Sequence, residues 1–392
     1  MVGVDAAAAD WAGSGLAYLT GPPDGPPDFS RAAVLTRARG VTAEIAELTG
    51  VDVDAATTLA GRAALRGLTR QGSVSAGGAT RLLPTADGWG AIALPRAEDT
   101  AALPALLECD TIPADPWPVL TRWAAARSAH DVVSRAQLLD IAAAALGEAA
   151  PAAPVVRRIG DTTEPRDLDG LLVADLSSLW AGPLCTQLLA RAGAVVVKVE
   201  SPARPDGTRR GEPAFFDWMN FGKLSYAVDF DDGALRDLLT AADVVVEGSR
   251  PAALRRRRLS VDDVAARAGR VWLRIGGYAG QPDRAAFGDD AAVAGGLVGE
   301  GPVFCGDAIA DPLAGLEAAR AVAQSLRRGG GELVEVSMAQ VAAGYAALPQ
   351  SPPCDIPVAA PQPPPPSPSA PPLGADNAAV KHIVAEKLGA PC

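Results

Sequence analysis

Histidine is nearly missing: the 392 residues hold two, His130 and His382, and neither belongs to a spaced pair. A histidine-based metal site or a Ser-His-Asp triad therefore has little to build on, and no metal is expected. The five cysteines (Cys109, Cys185, Cys305, Cys354, Cys392) are far apart, include no CxxC pair and are odd in number. That suits a reducing compartment better than a disulfide framework, so a cytoplasmic protein is expected. No apolar run approaches the ~20 residues of a membrane helix, and the opening MVGVDAAAADWAG lacks the basic start and apolar core of a signal peptide. No membrane attachment is expected. Cations are outnumbered, 35 Lys and Arg against 46 Asp and Glu, for a net charge of -11. This argues against a nucleic-acid partner, because phosphate contacts need concentrated Lys and Arg; the one dense run, 255–258, is short and reads as the cap of a solvated helix. Any chemistry must lean on carboxylates.

What is present is apolar material, 48% of the chain, enough for one large or two medium domains. From 167 to 278, short β-branched runs alternate with helical patterns: LLVADL (171–176), VVVKVE (195–200), YAVDF (226–230), DVVVEG (243–248) and VWLRIGG (271–277) read as strands. PLCTQLLARAG (183–193) and GALRDLLTAA (233–242) read as helices, and SVDD (260–263) as a capping-box start. The expected fold class is α/β, a doubly wound parallel-sheet large domain with a smaller α+β domain. In such sheets ligands sit beyond the carboxyl ends of the strands, here 177–181, 200–210, 248–250 and 277–278. No GxGxxG follows the first strand, so no dinucleotide is expected. Residues 147–166 read as a linker, 167–348 as the large domain, 349–373 as a proline-rich linker of extended character and 374–392 as a docking helix.

The informative segment is GDDAAVAGGLVGEGPVFCGDAIADPLAGLEAARAVAQSL (288–326). Glycine-rich apolar loops precede Asp311 and an alanine-rich helical period follows, which places Asp311 at or just before a helix N-terminus, where backbone amides stabilise a carboxylate. Two readings stand on the residues alone: a reactive carboxylate, or an N-cap aspartate with Pro312 at the first helical position.

ADLSSLWAGPLCTQLLARAGAVVVKVESPARPDGTRRGEP resembles the opening of class III CoA-transferases of the CaiB/BaiF type. The likeness continues in order through MNFGKLSYAVDFDDGALRDLL, ADVVVEGSRPAAL, VWLRIGGYAG, DPLAGLEAARAVAQSL and GGGELVEVSMAQ. The resemblance implies coenzyme A transfer from an acyl-CoA to a carboxylic acid, with coenzyme A as a substrate and Asp311, four residues before Gly315, as the acylated nucleophile. It also implies a CoA pocket at Ala181 and Gly182, basic contacts from Arg209 and Lys223 to the CoA phosphates, a substrate pocket at Ser178, Trp180 and Tyr278, and a homodimer. The alternatives are that Gly182-Pro183 only starts a helix and that the two cations are ordinary surface charges.

Departures from the family pattern fall at Trp180 and Ser178, where formyl-CoA transferases carry glutamine and histidine, at Gly248-Ser249 in place of ENF, and at Glu332 in place of glutamine. A bulkier or apolar acyl group is expected beside Trp180. Residues 1–146 look like the family's small domain moved to the front, with Asp87-Gly88 as the turn of a strand pair. Two alternatives accompany the transferase reading. One is an α-methylacyl-CoA racemase, whose GHD is matched by Gly288, Asp289 and Asp290 without the histidine; the other is a non-catalytic CoA-ester-binding partner subunit.

Overall fold

The structure is a computed structural model that describes residues 6–248 and 251–389. In chain order, β1 (Thr80–Thr85), β2 (Gly88–Ala93) and β3 (Ala142–Ala145) form a small antiparallel sheet. A second sheet takes β4 (Val155–Arg158), β5 (Leu172–Leu176), β6 (Val195–Glu200), β7 (Leu224–Ala227), β8 (Val244–Glu247), β9 (Val271–Gly276) and, beyond the short hairpin β10 (Val298–Gly299) and β11 (Val303–Phe304), β12 (Glu332–Ser337). Its seven strands run in the order β4-β12-β9-β8-β5-β6-β7, and β4 alone is antiparallel to its neighbour. Strands such as β5 and β8 are buried along their whole length, as a sheet covered on both faces requires. The chain winds outward from β5 in both directions, so β5 and β8 flank the point where strand order reverses. This is the expected α/β class, and in such sheets the ends of the strands beside the reversal, here β5 and β8, are where ligands sit.

Three local expectations differ. The stretch 147–166 contains β4, whose backbone pairs with β12 despite fully exposed side chains, so it edges the sheet as well as linking. Ser260 and Asp263 do make the capping-box hydrogen bond (3.2 Å), but only a turn follows: Arg270 donates to the Ala265 carbonyl (2.7 Å) and the chain turns into β9. The β1–β2 turn is Ala86-Asp87, one residue early, since the Asp87 carboxylate accepts from Thr85 (3.0 Å) and from the Ala129 amide (2.8 Å).

The N-terminal helices do not stand apart from the sheet. Trp11, Leu35 and Leu59 share one core with Val246 and Leu273 of the sheet and Leu316 of the helix Ala310–Arg327, whereas Leu83, Ile92, Leu120 and Val132 form a separate core. A further cluster sets Leu82 and Ala91 of the small sheet beside Tyr278 and Val293. Arg31 ties the N-terminal region to the segment 296–346, donating to the carbonyls of Val298 (2.7 Å), Ala346 (2.8 Å) and Gly296 (3.1 Å).

The proline tract lies extended along its own chain: the Ala359 amide donates to the Ala12 carbonyl (2.9 Å) and the Ala370 amide to Asp217 (2.9 Å). It delivers the helix Asn377–Leu388 to the open side of β7, where Asp376 accepts from the Ser225 amide (2.8 Å) and the Asn377 amide group bonds both backbone atoms of Ala227 (2.9 and 3.0 Å). Side chains thus cover an edge that would otherwise invite another strand. Among the described residues no helix is long and apolar enough to cross a membrane.

The helix Ala310–Arg327 crosses the helix Ala181–Arg191 at Gly315, where an added Cβ would lie 2.7 Å from the Ala181 carbonyl oxygen and 2.9 Å from Leu184. Gly315→Ala should therefore destabilise by about 1–3 kcal/mol, overriding the helix propensity that alanine adds. Urea unfolding measures this; equal or higher stability would contradict the crossing.

Candidate functional site

The turn after β5 is held from beneath by buried charge. Asp175, at the heart of β5, accepts from Lys223 (3.1 Å) and Thr186 (2.6 Å), and Lys223 also donates to Pro183 O, Thr186 and Asn220. Lys198 of β6 donates to the Ser177 carbonyl (3.0 Å) and pairs with Asp206 (2.9 Å), which in turn accepts from the Leu179 amide (3.2 Å). These buried groups force the turn outward: Ser178 and Leu179 are exposed, and Leu179 takes a left-handed backbone at φ 71°. A left-handed leucine is strained, and such strain collects at functional sites. Gly182 then lets the following helix close on the turn, since a Cβ there would lie 2.2 Å from Ser177.

Asp311 stands in the first turn of its helix, not as the cap, which is Ile309. Residues four apart share a helix face, so Asp311 lies ~6 Å along the axis from the Gly315 crossing at Ala181. Its Oδ2 is pressed against Gly288, where a Cβ would lie only 2.3 Å away. Among the described residues the carboxylate accepts no side-chain or backbone hydrogen bond, and the side chain is largely enclosed. Burial pushes its carboxyl up to about 7, with Arg62 drawing it down and Asp289, Asp290 and Asp307 adding to the rise. Just before the helix, Ala308 is left-handed (φ 45°); its amide donates to Asp289 (3.1 Å) and its carbonyl accepts from the Asp311 amide (2.9 Å).

The surrounding carboxyls behave alike. Burial raises Asp289 to about 6 and Asp290 to about 7; Asp289 also accepts from Thr80 (3.1 Å), and Asp290 from the Tyr278 hydroxyl (2.8 Å) and the Phe287 amide (2.6 Å). Asp307 takes both oxygens to Arg62 at 2.9 Å. Arg62 comes from the helix Ala55–Leu65 and lies 5.2 Å above the Trp180 ring and 5.7 Å from Phe215, which meets Trp180 edge-on.

Of the residues expected from the sequence, Ala181 lies against Gly315, one helical turn from Asp311, and Trp180 lies under Arg62. Trp180 is buried beneath Arg62, and Leu179 is the exposed apolar group of the turn. Lys223 is fully buried with its ammonium on four protein acceptors, which leaves no N–H for a CoA phosphate. Arg209 is committed to Glu200 (2.6 Å), stacks on Phe216 at 4.3 Å and donates to the Pro371 carbonyl (3.3 Å). Tyr278 is buried under Arg284, its hydroxyl spent on Asp290. Ser249, Arg250 and Cys392 lie outside the described residues. The expectations missed Arg62, Lys198 and Asp206; for Arg62 the signal was an arginine one turn after Leu59 on a helix of small core residues.

A family model described as CoA-transferase family III matches residues 168–366, just over half of the chain. Among curated proteins, succinyl-CoA–D-citramalate CoA-transferase of Chloroflexus aurantiacus is 30% identical over 203 residues, covering 44% of this chain and 50% of that protein. Formyl-CoA:oxalate CoA-transferase of Rhodopseudomonas palustris is 35% identical over 108 residues, 25% of each chain. The chain thus spans about half the length of the first and a quarter of the second. A CAIB/BAIF family protein from Brucella suis has a solved structure that matches at 29% identity and TM-score 0.42, over 47% of this chain and 56% of that one. With the β5 turn, the Gly315 crossing and Asp311 all inside the matched segment, the chain belongs to CoA-transferase family III.

Proposed function

We propose that this protein moves coenzyme A from an acyl-CoA thioester to a carboxylic acid, with Asp311 as the group acylated in turn. The observation that carries the reading is the placement of Asp311: a largely enclosed carboxylate that accepts no hydrogen bond among the described residues, one helical turn from the Ala181 crossing. A carboxylate that is poorly solvated is a stronger nucleophile than one in water.

Asp311 attacks the thioester carbonyl, the C–S bond breaks, and an aspartyl anhydride forms with release of CoA thiolate. The thiolate attacks the Asp311 carbonyl, expelling the donor acid and leaving an enzyme–CoA thioester. The acceptor carboxylate attacks that thioester, releasing the thiolate again; the thiolate then takes the acceptor's acyl group and restores Asp311. The Ala181-Gly182 amides are the proposed contact for the thioester oxygen. Lys223 and Arg209 serve by holding Asp175 and the 200–210 loop beneath that turn. Ser178 and Leu179 present the exposed rim to the acyl portion. The transferase reading is favoured over proton exchange because Asp289, which stands where a racemase carries histidine, is bonded to the Ala308 amide and to Thr80.

A cytoplasmic setting accords with the free Cys109, Cys185, Cys305 and Cys354. Homodimer assembly rests on the family likeness alone, since 147–158 and the proline tract both pack on their own chain.

Two outcomes test the reading. Asp311→Asn and Asp311→Ala should abolish transfer while CoA binding stays, because an amide cannot form the anhydride. After wild type meets acyl-CoA, mass spectrometry should find CoA on the Asp311 peptide; full turnover by Asp311→Asn, or an adduct on Asp307 or a cysteine, would overturn it. The second concerns pH. A carboxyl raised in the folded state favours folding below its unfolded value near 3.8 and loses that contribution as pH climbs to about 7. Asp311→Asn should therefore gain on wild type by about 2 kcal/mol between pH 5 and pH 8, after discounting for partial solvent access. Over the same window the wild-type rate of adduct formation should rise with ionisation of the carboxyl cluster. A constant stability difference, with a flat rate, would contradict the placement of Asp311.

A further inference from the structure

The region ahead of the family match supplies a cation that the proposed reaction leaves without a role. Arg62 sits on the helix Ala55–Leu65, capped by Asp54 through the Thr57 amide (2.7 Å) and fixed by Leu59, Ala60 and Ala63 in the core. Its guanidinium is a planar fork. One nitrogen, Nη1, is committed to Asp307 at 2.9 Å, and the plane lies against Trp180 and Phe215. Among the described residues Nε and Nη2 donate to nothing, while the side chain keeps 21% of its surface open. Its charge bears on Asp289, Asp307 and Asp311 alike.

We infer that the free edge of Arg62 is the receptor for the reacting carboxylate of the acceptor acid. The inference rests on the transfer reading. While Asp311 is an anion, an acid anion approaching it meets like charge from Asp289, Asp307 and Asp311 together. Conversion of Asp311 to its CoA thioester removes one negative charge from this group. Arg62 then has charge to spare, and its Nε–Nη2 edge can take a carboxylate through two parallel N–H bonds. The Trp180 and Phe215 rings, 5.2 and 5.7 Å from the guanidinium, pack beside it. Acid binding therefore follows thioester formation rather than competing with it. The donor acid leaves through the same subsite, as reversibility requires.

The test uses the full chain with Arg62→Gln, Arg62→Lys and the charge-balanced pair Arg62→Gln with Asp307→Asn, which keeps Asp307 from being buried unpaired. Enzyme–CoA thioester is formed from acyl-CoA and then discharged either by acetate, butyrate or succinate, or by neutral hydroxylamine. Loss of the fork should raise the acid concentration for half-maximal discharge at least about tenfold, with hydroxylamine discharge within about twofold. Lysine should recover part of the affinity. Equal loss toward acids and hydroxylamine would reduce Arg62 to a structural role, and unchanged acid dependence would remove the subsite. Should wild type form no thioester, the transfer reading fails by itself. Calorimetry of the same acids with CoA-saturated Asp311→Asn, which lacks the Asp311 charge, and with the same protein also carrying Arg62→Gln and Asp307→Asn then decides the subsite: weaker binding without Arg62 upholds it, equal binding overturns it.

Discussion

Three carboxylates gathered around one guanidinium set the terms for everything at the head of the Ala310–Arg327 helix. Asp289, Asp307 and Asp311 all feel Arg62, and Asp307 takes its only direct ion pair in the group. In a poorly solvated site such a set cannot hold its full negative charge without cost, so protons bind more tightly than in water. An acylated Asp311 is the chemical equivalent of a protonated one: either change removes a charge. The charge imbalance that makes the folded state hold a proton is the same one that would favour a covalent intermediate.

The second constraint is the turn after β5. It is built on two buried ion pairs, Lys223 with Asp175 and Lys198 with Asp206. Buried pairs contribute little net stability, because desolvation offsets their attraction, but removing one partner leaves an uncompensated charge. Their effect here is positional. They hold Leu179 in a left-handed backbone and bring the Ala181 turn against Gly315, which sets the distance from that turn to Asp311. Cations that looked like phosphate contacts are thus spent one layer below the cleft, shaping its floor.

Much of the large sheet was legible because its strands are short β-branched runs between helical periods, and burial on both faces leaves such runs uninterrupted. β4 was not, since Val155–Arg158 lies in an alanine- and proline-rich stretch and becomes a strand only through β12, a tertiary partner. Ser260 and Asp263 form the local bond their spacing predicts, yet only a turn follows before the chain enters β9. Asp311 was singled out through D-x-x-x-G spacing, whose physical content is the Gly315 crossing. Arg62 had no motif to mark it. It sits in an alanine-rich helix some 245 residues from its partner Asp307, and only the shared core of the N-terminal helices and the sheet joins them. Lys223 was misjudged for the opposite reason: a lysine beside a strand reads as a surface charge or ligand contact until Asp175 and Asn220 close around it.

The central claim is that Asp311 exchanges an oxygen atom with the acid substrate by way of an anhydride. It is tested most directly by supplying an acceptor acid whose carboxylate oxygens are both heavy isotope, then sequencing the Asp311 peptide by mass spectrometry after turnover. Passage through the anhydride leaves one acceptor oxygen on Asp311, so heavy oxygen should appear in that side chain and in no other carboxylate of the chain. Full turnover with an unlabelled Asp311, or with the label on Asp289, Asp290 or Asp307, would contradict the account.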